Sequence, residues 1–420
     1  MKPRQRLGAV LLVAVISIAG ITMSDLGGRL SGSSGSADGD LTVVSGYGGQ
    51  LKVNFLDDPE VAAILADRYG LEVDITKAGS IEMLCDLSLE DKDFIWAGDQ
   101  SSLGIYRDCG GTMVRSDNVY NSPIVLYSWT PVVDALVADG IAQPEAGGAY
   151  SVDFARLADH ISEGTSWTDL GVPALHGRVT VHTTDPARSN SGYLFAGLLA
   201  NAMNGGDVVN ATTMQPLLPG IGLVFERLGF MEETSGDLFE QFLTTGMGAK
   251  PIVAGYESQL LEFLMANPDA RDQVGEQVRI LYPQPTVWAS HPMVARTAEG
   301  ARLLDALMDP EIQRLAWDRH GHRAGVAGVV NDTAAMAIPG LLPSISSVVD
   351  MPAPSVMTGI LAEIESPAGG AATDTGDYPA ERIEFQDRKI AWTFTCMMRC
   401  RRRVAWCRAS AGWRSSVGPV

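Results

Sequence analysis

Small polar residues crowd the segment from Thr183 to Gly192. Thr183, Thr184 and Asp185 precede Pro186, and Ser189, Asn190, Ser191 and Gly192 follow. Tyr193 to Met203 then has helical apolar spacing, pairing Leu194 with Leu198 and Phe195 with Leu199. A helix opening leaves backbone N–H groups unpaired and carries partial positive charge, and adjacent hydroxyls add donors. The chemistry this offers is capture of an oxyanion or a carboxylate. Helix capping by Ser189 or Asn190 would use the same residue types. The density of polar residues favours a ligand loop that includes Thr184, Asp185, Ser189, Asn190 and Ser191.

A strand running into a polar turn and then a helix recurs at Gly79-Ser80, and at Ser45 to Gly49 with Tyr47 inside the turn. Gln100 and Ser101, flanked by Asp99 and Ser102, form a further polar loop. Asn121-Ser122 precedes Pro123 where the chain should pass between two halves, although an ordinary turn before proline has the same composition. Open α/β sheets bind ligands outside the carboxyl ends of their strands. Ser45, Tyr47, Gly79, Ser80, Gln100, Ser101, Asn121 and Ser122 therefore join the candidate ligand-binding residues.

Catalytic patterns are missing from the sequence. It has no Gly-x-Ser-x-Gly elbow and no His-Glu-x-x-His. Gly246 to Lys250 places a lysine after glycines but lacks the P-loop spacing and its Ser or Thr. His182 stands near Asp185 without a paired nucleophile. His320-Gly321-His322 could hold a metal, but no cysteine or carboxylate cluster accompanies it, so a solvated helix end is the preferred reading. No catalytic residue, metal or cofactor is expected. A formal net charge of -19 argues against a nucleic-acid partner, because phosphate backbones are bound through lysine and arginine.

The elements that must position these loops alternate. Leu41 to Ser45, Leu71 to Ile75 and Phe94 to Trp96 read as strands. Between the first two lies a helix capped by Asp57 or Asp58, with Pro59 in its first turn, apolar Val61, Ile64 and Leu65, and Gly70 at its end. Ile124 to Tyr127, Gly177 to His182 and Val278 to Tyr282 read as further strands. Val152 to Ile161, Leu238 to Leu243, Ser258 to Met265, Glu299 to Met308 and Glu311 to Arg319 read as helices, the last ended by Gly321. Such alternation implies mostly parallel sheets flanked by helices. A chain of 420 residues suits two lobes plus tails.

Both ends differ in character from the body. Lys2, Arg4 and Arg6 precede the apolar run Leu7 to Met23, the pattern of a signal peptide or short signal anchor, and Ser17-Ile18-Ala19 offers the small residues that cleavage after Ala19 would need. Gly27 to Asp40 reads as a flexible tether. Cys85 and Cys109 lie in the body, where the sequence leaves pairing open. No acidic residue follows Asp387, and the stretch from Ile390 gathers arginine, tryptophan, Cys396, Cys400 and Cys407. That tail is either a basic anchor or interaction segment, or an out-of-frame translation of a GC-rich gene. The second is the preferred reading, and the tail is left out of the fold.

From about Leu41 to about Met351 the sequence resembles the type II extracellular solute-binding proteins of ABC importers. The resemblance is carried by Leu41-Thr42-Val43-Val44, Gly79-Ser80, Asn121-Ser122-Pro123-Ile124-Val125 and the Thr183 to Gly192 loop. The loop resembles the serine-rich anion loop of phosphate, sulfate and molybdate binders, although Arg188 is the only basic side chain in these loops. Ile312 to Arg323 is similar to the helix and glycine–aromatic–arginine turn that end many members, with His322 where an aromatic is usual. Gly246-Met247-Gly248-Ala249-Lys250-Pro251, Tyr256-Glu257 and Tyr282 to Trp288 resemble a bacterial substrate-binding subfamily and add Tyr256 and Glu257 to the candidates. Tyr47, Tyr256 and Trp288 would either line an organic ligand pocket or pack as core.

The resemblance implies a two-lobe α/β fold with two crossover strands. Residues 41–122 and 290–365 would form lobe I and residues 123–289 lobe II, with 1–23 as signal segment, 24–40 as linker and 366–420 as linker and tail. It further implies an exported, periplasmic or cell-surface monomer that binds a small ligand, an oxyanion first, for a membrane ABC permease. The alternative is a ligand sensor or surface-interaction protein on the same fold, anchored by an uncleaved N-terminal segment.

Overall fold

The computed structural model describes residues 41–366. The signal segment, the tether and the basic tail lie outside the described residues. The first part of the chain runs β1 (Thr42–Gly48), α1 (Gln50–Leu56), α2 (Pro59–Tyr69), β2 (Leu71–Lys77), α3 (Glu82–Cys85), β3 (Phe94–Trp96), α4 (Leu103–Asp108) and β4 (Arg115–Asn118). Asp58 caps α2 by accepting from the N–H groups of Glu60 and Val61, and Gly70 ends it at φ 64, a conformation glycine adopts without strain. Cys85 and Cys109, at the ends of α3 and α4, form a disulfide with Cα atoms 5.7 Å apart.

The middle part begins with the ten-residue β5 (Tyr120–Trp129). There follow α5 (Thr130–Ala138), β6 (Ala142–Pro144), β7 (Tyr150–Asp153), α6 (Phe154–Glu163), α7 (Asn190–Met203), α8 (Ala211–Met214), α9 (Leu218–Leu228), α10 (Ser235–Thr245), β8 (Ile252–Tyr256), α11 (Glu257–Ala266), α12 (Arg271–Gln277) and β9 (Val278–Gln284). The last part comprises β10 (Trp288–Ala289), β11 (Pro292–Ala295), α13 (Ala298–Leu307), α14 (Pro310–His320), β12 (Arg323–Ala324) and α15 (Pro354–Glu365). Two local expectations are corrected. Val152 lies in β7, with the helix starting at Phe154, and Gly177 to His182 makes only isolated bridges, Ser166 to Arg178 and His182 to Val253.

Two sheets result, one per lobe. Lobe I has the order β2-β1-β3-β11-β4, with β1 parallel to β2 and β3, and β11 antiparallel to β3 and β4. In lobe II, β5 pairs antiparallel with β8 and β9, β9 runs parallel to β7, and β6 closes the edge antiparallel to β7. Both sheets are thus mixed. Parallel pairing survives where a helix carries the chain from strand to strand, and strands that return through a crossing run the other way.

The chain crosses between lobes at β5 and returns at β10, which pairs with Ser122 and Pro123. It then passes between them a third time. Arg323 in β12 lies opposite Asn121 at the start of β5, after which Met336, Ile338 and Leu341 pack with Leu260, Leu264 and Ile280 of lobe II. Helix α15 places Val356, Met357 and Ile360 in the main lobe II core with Ile221 and Val224. The assignment of 290–365 wholly to lobe I is corrected accordingly: lobe I takes β11, α13 and α14, and the segment after β12 belongs to lobe II. An apolar helix stripe says that a face will be covered, not which lobe supplies the cover.

Candidate functional site

Between the lobes lies a cleft of about 620 Å³. Lobe I contributes the start of α1, from Gly49 to Lys52 with Asn54, and the turn from Lys77 to Ser80 with Glu82. Lobe II contributes Arg188 and Ser189, Glu233 to Gly236, Phe239, and a run along α11 from Tyr256 to Asn267. Several helices open onto this space: α1 after Gly49, α7 after Ser189, α10 after Thr234 and α11 after Tyr256. Their N-terminal dipoles favour negative charge in the cleft. Phe239, Phe263 and Leu51 give it an apolar side.

The formal charges on the wall balance, but their engagement does not. Arg188 is paired with Glu233, both exposed. Glu262 Oε1 accepts from Asn54 Nδ2 at 3.2 Å across the lobes and lies 3.0 Å from His320 Nδ1. Lys52 is 3% exposed, and its Nζ lies 2.8 Å from His291 Nδ1. Burial lowers the Lys52 pKa from 10.5 to about 7.

Lys52 and Tyr256 lie at the floor of the cleft, and a buried aromatic cluster stands behind them. Tyr256 lies 5.5 Å from the His291 ring, His291 lies 5.0 Å from Tyr120, and Tyr120 stacks on His322 at 3.9 Å with an interplanar angle of 3°. All four are buried. His291 Nε2, both ring nitrogens of His322 and the Tyr120 hydroxyl have no hydrogen-bond partner among the described residues. Burial, with neighbouring cations adding to it, holds His291 and His322 well below the usual histidine range, and burial pushes Tyr120 well above the usual tyrosine range. His291 also sits at φ 35, a left-handed conformation uncommon outside glycine. The solvated reading of the His320-Gly321-His322 helix end is corrected: both rings are buried, and His322 fills the aromatic place by stacking on Tyr120. Among the described residues no group of three or more His, Cys, Asp or Glu is arranged to hold a metal.

The chain superposes on solved two-lobed structures. A periplasmic thiamin binding protein matches with a TM-score of 0.51 at 12% identity, over 80% of this chain and 98% of that one. The fold is that of the type II periplasmic binding proteins. The apo ferric ion-binding protein A of Pasteurella haemolytica is similar to this chain in the same way, with a TM-score of 0.50 at 12% identity, over 77% of this chain and 96% of that one. No protein-family model matches the sequence, and no curated protein does.

Within this periplasmic-binding-protein fold the expected site residues separate into groups. Gly79, Ser80, Ser189 and Tyr256 line the cleft. Asn190, Ser191 and Thr184 lie just behind it: Asn190 Nδ2 donates to the Tyr256 hydroxyl at 3.1 Å, and Ser191 Oγ lies 2.8 Å from Thr184 Oγ1 and 3.1 Å from Ser189 Oγ. The loop hugs α7 so closely that a Cβ on Gly192 would stand 2.2 Å from the Thr184 carbonyl oxygen. Asp185 closes its own turn by accepting from the Ala187 N–H.

The remaining candidates lie outside the cleft lining, and several are engaged elsewhere. Ser45 accepts from Lys92 Nζ at 2.8 Å, and Tyr47 lies under the same ammonium. Ser101 bonds to Asp99, and the Gln100 N–H donates to Ser290 Oγ. Asn121 pairs with β12, and Ser122 Oγ accepts from the Ser258 N–H. Glu257 is buried and accepts from Arg323 and from the Tyr282 hydroxyl, which leaves its carboxylate nothing for a ligand. Trp288 lies in β10, outside the cleft lining. Sequence reasoning missed Lys52, Tyr120 and His291, and it placed His322 on a solvated helix end. A local signal existed for Lys52, which shares the buried face of α1 with Phe55 and Leu56 at helical spacing.

Proposed function

We propose that the protein captures a small solute between its lobes and presents it to a membrane ABC importer, without chemistry on the solute. The observation that carries this is the cleft itself, walled by both lobes, which meet across three chain passages and can close by hinge motion. Its volume, about 620 Å³, falls in the range of small-molecule sites, roughly 300–1,000 Å³. Converging helix openings and a buried lysine favour an anionic ligand. The size of the cleft and its phenylalanine side suit an organic anion as well as a bare oxyanion. The basic and apolar start of the sequence supports export.

The test is the melting temperature of the full chain against oxyanions, organic acids, amino acids, sugars and metal ions. Only a solute that prefers the folded protein raises it. A selective rise with organic acids or oxyanions is expected, and a flat response to every class would oppose the proposal.

A further inference from the structure

Among the described residues Lys52 and Arg323 are buried and the Lys250 side chain is 12% exposed, and the last two have carboxylate partners. Arg323 Nε is 2.7 Å from Glu257, and Lys250 Nζ is 2.9 Å from Glu232. Lys52 is the exception. Its neighbour is a histidine nitrogen at 2.8 Å, and no carboxylate of the described residues lies within ion-pair distance of it. The groups that face it from neighbouring elements are His291 after β10, His322 after α14, Tyr120 of β5, and Tyr256 with Glu262 around α11. Glu262 is the acid among them, and it is engaged by Asn54 and His320. A buried amine without a counter-charge costs free energy in the empty protein. This one lines the solute cleft, so the counter-charge can arrive from outside.

We propose that Lys52 is the specificity-determining residue for an acidic group on the solute, which seats that group on the cleft floor beside Tyr256 and its apolar body along Phe239 and Phe263. This rests on the solute-capture reading. His291 is a positioning residue: held at φ 35 with its backbone carbonyl accepting from Trp96 Nε1 at 2.9 Å, it fixes the lysine without neutralising it. The solutes taken up are then carboxylates or oxyanions, and their uncharged analogues are rejected. Because burial keeps Lys52 largely neutral above pH 7, binding of the acid above that pH draws a proton onto the amine.

The experiment uses the full chain, its Lys52→Met and Lys52→Arg variants, and matched probes: phenylacetate with phenylacetamide, succinate with succinamide, and inorganic phosphate and sulfate. Calorimetry at about pH 8 in two buffers of different ionisation enthalpy reads affinity and proton uptake together. The acids should bind and their amides should not. Lys52→Met should weaken acid binding about 10- to 100-fold, as expected for a lost hydrogen bond to a charged group. It should also abolish proton uptake, while Lys52→Arg restores part of the affinity. The empty Lys52→Met protein should melt close to the parent, since relief of a buried amine without a counter-charge offsets the hydrogen bond that His291 Nδ1 loses. A much lower melting temperature of that empty variant would make Lys52 structural and overturn the inference. Amides binding as well as acids, unchanged in Lys52→Met, would overturn it too and leave solute capture standing. Failure of every acid probe, in a protein that some solute of another class stabilises, would overturn the inference and leave solute capture standing.

Discussion

A Cβ placed on Gly98 would stand 2.3 Å from Asn190 Cγ and 2.5 Å from Asn190 Cβ. Gly98 follows β3 in lobe I, and Asn190 opens α7 in lobe II, so the lobes touch here over the backbone of a glycine. Rotating the Asn190 amide cannot relieve a contact that reaches its own Cβ. Gly98→Ala should therefore push the lobes apart at this point. We expect solute affinity to fall about tenfold, equal to ~1.4 kcal/mol, as titration calorimetry would show. Unchanged affinity would mean that this contact plays no part in closure.

Glu257 separates stability from binding. Its carboxylate is buried and holds Arg323 through two hydrogen bonds. Glu257→Gln leaves the guanidinium buried and uncompensated, which should cost about 3–5 kcal/mol of stability. The urea midpoint would record it. Solute preference, read at a temperature where the variant stays folded, should not change.

Ser80 and Ser191 should part company. Ser80 lines the cleft, whereas Ser191 is buried in contact with Thr184 and Ser189. Ser191→Ala should lower stability by ~1 kcal/mol through the lost hydroxyl pairing. Ser80→Ala should leave stability alone and weaken solute binding. Melting curves and titrations on the two variants distinguish these outcomes.

Acid should loosen the fold. Burial lowers His182 from 6.5 to about 4 and holds His291 and His322 well below 6.5. Below pH 6.5 the unfolded chain takes up protons that the folded one refuses. Stability from these rings is therefore complete above 6.5 and is lost as pH falls toward their folded values. Lys52 acts on the other side: its burial cost is full below about pH 7 and is relieved as pH rises toward 10.5. His322→Phe keeps the stack on Tyr120 and removes two unpartnered nitrogens. It should raise stability by ~1 kcal/mol and flatten the acid limb, as denaturant midpoints between about pH 5 and pH 8 would show.

Much of the fold was legible because it is written locally. Asp58 and Gly70 bracket α2, Gly321 ends α14, and apolar spacing marks α7. The ligand loop was legible as chemistry but misread in depth: Ser189 reaches the cleft, while Thr184 and Ser191 satisfy each other behind it. The floor was not legible. Lys52 and His291 meet across 239 positions of sequence, and nothing near either residue encodes that encounter. The pairing of Cys85 with Cys109 stayed open for the same reason, since it depends on a distance only the packed lobe sets. The destination of α15 depended on which lobe offered an uncovered face, which lies beyond its own sequence.

The measurement that bears most directly on solute capture is the interlobe distance, read by pulsed electron resonance between spin labels at Glu82 and Ala266. These line the cleft from lobe I and lobe II respectively. Adding a solute that raises the melting temperature should shorten and narrow that distance distribution. A distribution unmoved by every such solute would contradict capture between the lobes.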